Sequence, residues 1–442
     1  MAGRICREYF PTASPVRLPN YIKPHLGTFF SFSAIQIAQV LLPLAILPWL
    51  ARILGPEAFG LLMYMCLLPP LVALIMDWGL TTGGARNCAL HREAPDEIKT
   101  GLLEQVLAAK TLLGLICFFI CMAALPLVPH AREHPLAWFL ACCAGLARGS
   151  SPLWFFQGLG QGMKKMAVFD VASAFFAFAL SLVFIRKPGD WPFYLLFLAL
   201  CKGCANYWLT REILLKLPVK LKLAQACRGI WHTRTLFVAP MSATICNYGT
   251  QFIMGYWLSA VESGILNACH KMFRALVGAA NPLIQTLYPE TCRLAAFGKN
   301  NVIKILALAL GAVFIGMSLV SAIMYIAAPM IVKIALGDNY AGAATALRPM
   351  LFAVPLMACN QTLASQGLLP LGLEKIQAFA MGCAALAGFP LAIFLACVYG
   401  LAGCVWLPLI LEIIVFPILC TGFFLQGKKR PPQKTPARPG NK

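Results

Sequence analysis

The sequence predicts an all-α, polytopic membrane protein with about 12 transmembrane helices in two groups of six. Of its 442 residues, 60% are hydrophobic and only 12% are charged. Its mean hydropathy is +0.75, a value typical of polytopic membrane proteins and not of soluble enzymes. About twelve apolar runs are each long enough to cross the roughly 30 Å hydrocarbon core. The longest polar connection, residues 211–234, divides these runs into six and six.

Hydropathy predicts the following spans. In the first half they are residues 27–54, 57–82, 100–127, 135–157, 166–186 and 191–210. In the second half they are residues 235–258, 262–289, 302–328, 343–369, 373–398 and 400–425. The predicted organisation is a basic N-terminal segment (1–26), a first lobe (27–210), a basic linker (211–234), a second lobe (235–426) and a disordered basic tail (427–442). Prolines inside many spans favour helices that bend around a central cavity.

The net charge of +20 reflects membrane topology. If the N-terminus is cytoplasmic, the inner segments hold roughly 25 basic residues and the outer loops about 5, a clear positive-inside bias. This bias predicts that both termini and the 211–234 linker are cytoplasmic. It also predicts attraction to anionic membrane lipids, and it requires no binding to nucleic acid.

The eighth predicted span has one polar face. At about 100° per residue, six polar side chains fall within an arc of roughly 100°: Asn267, His270, Lys271, Arg274, Asn281 and Gln285. A charge at mid-bilayer costs about 2.5–3.5 kcal/mol even on the lenient insertion scale. The pattern therefore predicts the wall of a polar, substrate-binding cavity, with an amphipathic helix on the membrane surface as the alternative.

Other polar residues within the spans extend this prediction. The further candidate substrate-binding cations are Lys110, Arg148, Lys202 and Arg348, and the further candidate polar residues of the cavity are Gln36, Gln39, Asn247 and Gln251. A cavity rich in Arg and Lys is suited to a diphosphate. Two acids, Asp77 and Glu412, are candidates for ion coupling, because burial and neighbouring cations can tune a carboxylate to titrate. The alternative for each residue is a structural ion pair or helix contact.

The sequence lacks the motifs that the considered enzyme and pump classes would need. There is no G-x-x-x-x-G-K-[ST] phosphate loop for an ATP-driven pump. Cys201 and Cys204 form a C-x-x-C without a neighbouring His, so neither a metal nor another cofactor is expected. A membrane polymerase or ligase would need catalytic side chains on an outer loop, where His130, Glu133 and His134 are the candidates. The protein is therefore predicted not to be an enzyme.

Four stretches carry a resemblance to a known family: LARILGPEAFG (50–60), MDWGLTTGGARN (76–87), PLWFFQGLGQGM (152–163) and LLPLGLEKIQAF (368–379). With the order of spans over about 27–425, they resemble the polysaccharide-transporter branch of the multidrug/oligosaccharidyl-lipid/polysaccharide (MOP) exporter superfamily, which includes the O-antigen and capsule repeat-unit flippases. The sequence departs from many relatives at Gly160 and Gln161, where they carry an acidic and a basic residue.

The resemblance implies two six-helix lobes in a V that work by alternating access in the bacterial cytoplasmic (inner) membrane. It implies an undecaprenyl-diphosphate-linked oligosaccharide as substrate, with polysaccharide polymerase machinery as a candidate partner. A multidrug antiporter of the same superfamily is the main alternative; a polymerase or ligase, a scramblase and a scaffold are the others. A dominantly cationic cavity favours an anionic headgroup over cationic drugs.

The topology can be tested by accessibility labelling of single cysteines in a Cys-depleted variant. We expect a cysteine at Lys222 or Lys434 to react only with reagents that reach the cytoplasm, because basic residues concentrate in those segments. Labelling of either position from the outside would contradict the predicted orientation.

Overall fold

The computed structural model describes residues 45–91, 94–160, 162–217, 219, 222–280, 284, 291, 299–340 and 342–426. Within these ranges the chain is almost entirely helical and contains no β-strand, which confirms the all-α class. Gln36, Gln39, Asn281 and Gln285 lie outside the described residues, as do the segments 1–26 and 427–442.

The helices of the first half are α1 (Leu47–Met65), α2 (Leu68–Asp77), α3 (Leu80–Leu90), α4 (Asp96–Ala124), α5 (Pro129–Glu133), α6 (Pro135–Gly149), α7 (Leu153–Leu159), α8 (Met163–Phe184) and α9 (Pro192–Lys216). Those of the second half are α10 (Leu223–Thr244), α11 (Thr250–Trp257), α12 (Ala260–Gly278), α13 (Lys299–Ala335), α14 (Gly342–Leu351), α15 (Ala353–Thr362), α16 (Glu374–Cys404) and α17 (Leu407–Gln426). Two π-helical segments, Ile245–Gly249 and Leu363–Leu368, follow α10 and α15.

Seven helical segments of the described chain are long and apolar enough to cross a membrane: Leu47–Asp77, Asp96–Leu127, Met163–Phe184, Ile305–Ala335, Gly342–Leu368, Glu374–Cys404 and Leu407–Leu425. The protein is therefore a polytopic membrane protein, as predicted, while the number of twelve spans stays a prediction. Helix α12 is not among the seven, because its 19 residues include Glu262, Lys271 and Arg274.

Most of the predicted linker is helical. Helix α9 ends at Lys216 and α10 begins at Leu223, so the described connection between the two is short. The first part of α10 packs against α4 and α3 of the first half, with Gln225 donating from Nε2 to Glu104 at 2.7 Å. Helix α10 also packs against α16, and it thus contacts both halves. The lobe boundaries themselves stay a prediction.

Two predicted spans of the first half are broken at specific residues. The second span breaks between α2 and α3, where Trp78 and Gly79 both adopt left-handed backbone conformations (φ 43° and 74°). A left-handed conformation costs a non-glycine residue about 1–2 kcal/mol, and the Trp78 ring stacks on Phe237 of α10 with centroids 4.1 Å apart. The fourth span breaks between α6 and α7, at Ser150–Pro152. Both breaks border the cavity described below.

The two halves also meet at the predicted outer end. Helix α12 packs most extensively against α1, and a Cβ added to Gly264 would lie 2.6 Å from the Cα of Gly60. Nearby, the Tyr340 hydroxyl donates to the carbonyl of Ala51 at 3.1 Å, and Arg52 donates to the carbonyl of Ile334 at 2.9 Å. The halves are therefore in contact at both ends.

Substitution of glycine tests the close crossing of α1 and α12. We expect Gly264→Ala to lower the free energy of unfolding by about 1–3 kcal/mol, because the added methyl group meets backbone that cannot move aside. Gly278→Ala on the same helix is the matched control, since a Cβ there meets nothing within 4 Å. Thermal unfolding of the two purified variants in detergent compares their stabilities. Equal unfolding midpoints would contradict the tight crossing.

Candidate substrate cavity

A cavity of about 270 Å³ lies at the boundary between the two halves. It contains three of the predicted site residues and is lined by Pro70, Ala73, Leu74, Asp77, Thr81, Lys110, Arg148, Gly149, Ser151, Thr244 and Tyr248. We call this space the central cavity. Most of its lining comes from helices around the two breaks in the first half, and the last two residues come from α10 and the π-helical segment after it. A cavity formed by both halves can change shape when the halves move relative to one another.

A second, small cavity, of about 60 Å³, lies within the second half. We call it the C-half cavity; it is lined by Cys246, Asn247, Thr250, His270, Phe273, Arg274, Met357, Met381, Ala384, Leu407, Pro408, Leu411, Glu412 and Val415. The structure thus brings four predicted site residues of three different spans together: Asn247, His270, Arg274 and Glu412.

Tyr248 and Arg274 connect the two cavities. Tyr248 lines the central cavity, Arg274 lines the C-half cavity, and the guanidinium carbon of Arg274 lies 5.3 Å from the centroid of the Tyr248 ring. This is a cation–π contact. The Nη1 atom of Arg274 is buried and has no hydrogen-bond partner among the described residues. Because a buried donor without a partner is costly, this atom is a candidate to bind an anionic ligand.

The other polar residues of α12 and α11 form one local group. The Nε2 atom of Gln251 lies 3.2 Å from Nδ1 of His270 and also donates to the carbonyl of Asn247. Asn267 donates to the carbonyl of Ser263 at 2.8 Å. Within the described chain, Nε2 of His270 and Oδ1 of Asn267 are buried and unpaired. The predicted polar face is therefore only partly satisfied by neighbouring helices.

Glu412 is held by one amide. Asn360 of α15 donates from Nδ2 to Oε2 of Glu412 at 2.6 Å and to the backbone carbonyl of Glu412 at 3.1 Å. In the regions that the structure describes, no cation lies within ion-pair distance of this carboxylate. Glu412 is thus a carboxylate inside a cavity that also contains Arg274, without a direct ion pair to it.

Asp77 and Lys110 hold the two helix breaks together. The carboxylate of Asp77 accepts hydrogen bonds from the backbone N–H and the hydroxyl of Thr81 in the first turn of α3. Lys110 donates to the carbonyls of Gly149 (3.0 Å) and Ser151 (2.9 Å) at the end of α6. The Nζ atom of Lys110 lies 3.9 Å from Oδ1 of Asp77. By contrast, Arg148 is exposed to the central cavity and forms no ion pair with a described residue.

Three predicted cations lie outside the lining of both cavities. Lys271 contacts the sulfur of Met63 on α1 at 3.1 Å, so it points into the contact between α12 and α1. Lys202 forms an ion pair with Asp170 of α8. Arg348 donates to the carbonyl of Tyr325 at 3.4 Å and lies over its ring.

Sequence reasoning missed several contributors, namely Asn360, Thr81 and the backbone carbonyls of Gly149 and Ser151. Asn360 could have been found as an amide within an otherwise apolar span. The run Gly149-Ser150-Ser151-Pro152 could have been found as a helix break, because proline and the residue before it disfavour a continuous helix.

Comparison with known proteins identifies the family. Residues 26–294, more than half of the chain, match the family described as "Polysaccharide biosynthesis protein". The chain belongs to this family. The match covers the first half, both helix breaks and the polar helix α12.

Two curated relatives are named putative O-antigen transporters. The protein of Escherichia coli (strain K12) is 22% identical over 323 residues, which are 71% of this chain and 76% of that protein. The protein of Shigella dysenteriae is 23% identical over 405 residues, which are 89% of this chain and 97% of that protein.

Solved structures share the fold. A MATE-family multidrug resistance transporter of the MOP superfamily, in an inward-facing conformation, has a TM-score of 0.66 and 16% identity, covering 91% of this chain and 97% of its own. The lipid II flippase MurJ, in an inward closed conformation, has a TM-score of 0.63 and 13% identity, covering 90% of this chain and 86% of its own. The chain therefore has the fold of the MOP superfamily, as the sequence resemblance implied.

Proposed function

We propose that the protein is a flippase that moves an undecaprenyl-diphosphate-linked oligosaccharide, a repeat unit of O-antigen, capsule or exopolysaccharide, across the bacterial cytoplasmic membrane. The observation that carries the proposal is a pair of arginines, one from each half, of which Arg148 lines the same cavity as Tyr248 and Arg274 contacts the Tyr248 ring. Arg148 comes from the first half and faces the central cavity, while Arg274 comes from the second half and keeps a buried Nη1 without a described partner. The names of the curated relatives support the substrate class.

The chemistry of the two arginines suits a diphosphate. A guanidinium presents five N–H donors in a planar fork that matches phosphate oxygens, and it stays charged at all physiological pH values. Because the two arginines belong to different halves, a diphosphate that binds both would link the halves during transport. The oligosaccharide would pass between the halves when they separate, and the lipid chain would remain in the bilayer.

The charge of the central cavity disfavours the multidrug antiporter. Its described lining holds two cations, Lys110 and Arg148, and one carboxylate, Asp77. Because Asp77 is already engaged with Lys110 and Thr81, a cationic drug would meet the uncompensated charge of Arg148. An anionic headgroup would instead be attracted by it.

Alternating access requires the contacts at the two ends to open in turn. Contacts at the predicted outer end join α1 to α12, and contacts at the predicted inner end join α10 to α3 and α4. We propose that the substrate enters when the inner contacts separate and leaves when the outer contacts separate. Polymerase machinery outside the membrane would then consume the delivered repeat unit.

Replacement of the cavity arginines tests the substrate site. In a strain that lacks the cognate flippase, we expect Arg148→Ala and Arg274→Ala each to reduce surface polysaccharide about tenfold or more, because each removes charge-assisted bonds to phosphate. Arg148→Lys and Arg274→Lys should retain part of the activity, since an ammonium cannot make the two-pronged contact. Immunoblotting of membranes verifies equal protein levels.

Arg348→Ala is the matched control for these variants. Arg348 was predicted as a site residue but contacts Tyr325 outside both cavities, so its loss should leave surface polysaccharide unchanged. Lys271→Ala should reduce it, through the contact between α12 and α1 and through the charge beside the cavity. Full activity of the Arg148→Ala/Arg274→Ala double variant would contradict the proposed site.

Net transport in one direction needs an energy source or rapid removal of the product, and we propose that Glu412 couples transport to a proton gradient. Its carboxylate shares the C-half cavity with Arg274 and is bonded to the neutral amide of Asn360. Protonation would remove a negative charge that attracts Arg274, and it would thereby change the affinity of the cavity for an anion. Asp77 is less suited to this role, because Lys110 and Thr81 already hold its carboxylate.

Transport in proteoliposomes with and without an imposed pH gradient tests this coupling. We expect the gradient to accelerate transport by the wild-type protein, and Glu412→Gln to abolish the acceleration while retaining transport without a gradient. Asp77→Asn, if it folds normally, should keep the acceleration. A wild-type transport rate that does not depend on the gradient would contradict the coupling and would leave both carboxylates with structural roles only.

A further inference from the structure

The ammonium of Lys110 is enclosed by oxygen atoms of the protein. Its Nζ atom donates to the carbonyls of Gly149 and Ser151, at 3.0 and 2.9 Å, and lies 3.9 Å from Oδ1 of Asp77. The side chain is only 5% exposed. An ammonium has three N–H donors, of which two bind carbonyls while the carboxylate of Asp77 balances the charge. Although Lys110 lines the central cavity, its charge is thus compensated by oxygen atoms of the protein.

The same oxygens have the composition of a cation site. Backbone carbonyls and carboxylates are the preferred ligands of hard cations. Gly149 is the last residue of the 15-residue helix α6, and the C-terminal end of a helix carries partial negative charge that favours a cation. In transporters, unwound backbone carbonyls and the C-terminal ends of half-helices bind ions in this way.

The carboxylate of Asp77, the third group around the ammonium, is fixed in place. Oδ1 of Asp77 accepts a hydrogen bond from the backbone N–H of Thr81 at 3.1 Å and another from its hydroxyl. These bonds hold the carboxylate at the first turn of α3, facing the end of α6. The oxygens would therefore keep their positions relative to one another if the Lys110 side chain were shortened.

We propose that the carbonyls of Gly149 and Ser151 and the carboxylate of Asp77 form a site for a monovalent cation, which Lys110 fills permanently with its own ammonium. All four residues line the central cavity of about 270 Å³, so an ion could reach the oxygens once Lys110 is truncated.

The tethered ammonium has a consequence for the first half. It joins the end of α2, the start of α3, the middle of α4 and the end of α6 at one point. Since the charge is covalently attached, this junction does not lose its cation when the ions in solution change. The covalent link thus keeps these four helices joined when the metal ions in solution change, and a gradient of Na⁺ or K⁺ would not act on the first half through this site.

Truncation of Lys110 and addition of cations test the proposal. In choline chloride, whose cation is too large for the site, purified Lys110→Ala should unfold at a lower temperature than the wild-type protein. At equal ionic strength, at least one of Na⁺, K⁺ and NH₄⁺ should raise its midpoint by about 3 °C or more, with a saturable dependence on concentration.

Three control variants define the site. Lys110→Met keeps most of the side-chain volume and should show no recovery by cations, because the site is filled but uncharged. Lys110→Ala/Asp77→Asn should also show none, because the carboxylate is lost. Lys202→Ala removes the lysine of another ion pair, which Lys202 forms with Asp170 of α8. Small cations should not selectively raise the unfolding midpoint of this variant.

Absence of cation-specific recovery in folded Lys110→Ala would overturn the proposal, and so would equal recovery in the Asp77→Asn background or in Lys202→Ala. If Lys110→Ala does not accumulate in membranes, the wild-type protein provides the test. Because Lys110 occupies the site, Asp77 should not bind Na⁺ in the wild-type protein. Any rise of the unfolding midpoint in Na⁺ relative to choline should therefore be equally large in Asp77→Asn. A Na⁺-dependent gain that Asp77→Asn abolishes would show that the site is open to ions and would overturn the proposal.

Discussion

A charge within the membrane must be compensated by the protein or by a ligand, because the hydrocarbon core offers no water to solvate it. Four of the predicted site cations fall into two groups under that constraint. Lys110 is compensated by two backbone carbonyls and Asp77, and Lys202 by Asp170. Arg148 forms no ion pair with a described residue, and one nitrogen of Arg274 is buried without a described partner. The compensated cations hold helices together, while the arginines remain available to a ligand.

The helix breaks bring these groups together. A continuous helix satisfies its own backbone and has no free carbonyl in the membrane. Interrupting α6 at Gly149 exposes carbonyls, and the turn at Trp78 and Gly79 places the side chain of Asp77 beside them. In the second half, the π-helical segment Ile245–Gly249 places neighbouring residues in different cavities: Tyr248 lines the central cavity and Asn247 the C-half cavity. Such segments often occur at functional sites.

The two halves differ in how their acids are arranged. In the first half, Asp77 is bound by Lys110 and Thr81, so its charge is compensated within the protein. In the second half, Glu412 is bound by the neutral amide of Asn360 and shares a cavity with Arg274. A carboxylate without an ion pair is the one whose protonation can alter its surroundings. The two acids therefore differ in whether a described cation is paired with them.

The sequence by itself determined the all-α membrane class, the family and the polar face of α12, because hydropathy, motifs and helical periodicity are local properties of the chain. It also identified Arg148, Arg274 and Glu412, since a charge in an apolar run is visible without a structure. Only the tertiary structure decided which of these charges are already compensated. Lys110 and Arg148 look alike in the sequence, but the carbonyls that bind Lys110 lie 39 and 41 residues away. Contacts of that kind depend on how distant helices pack and break, and no local pattern encodes them.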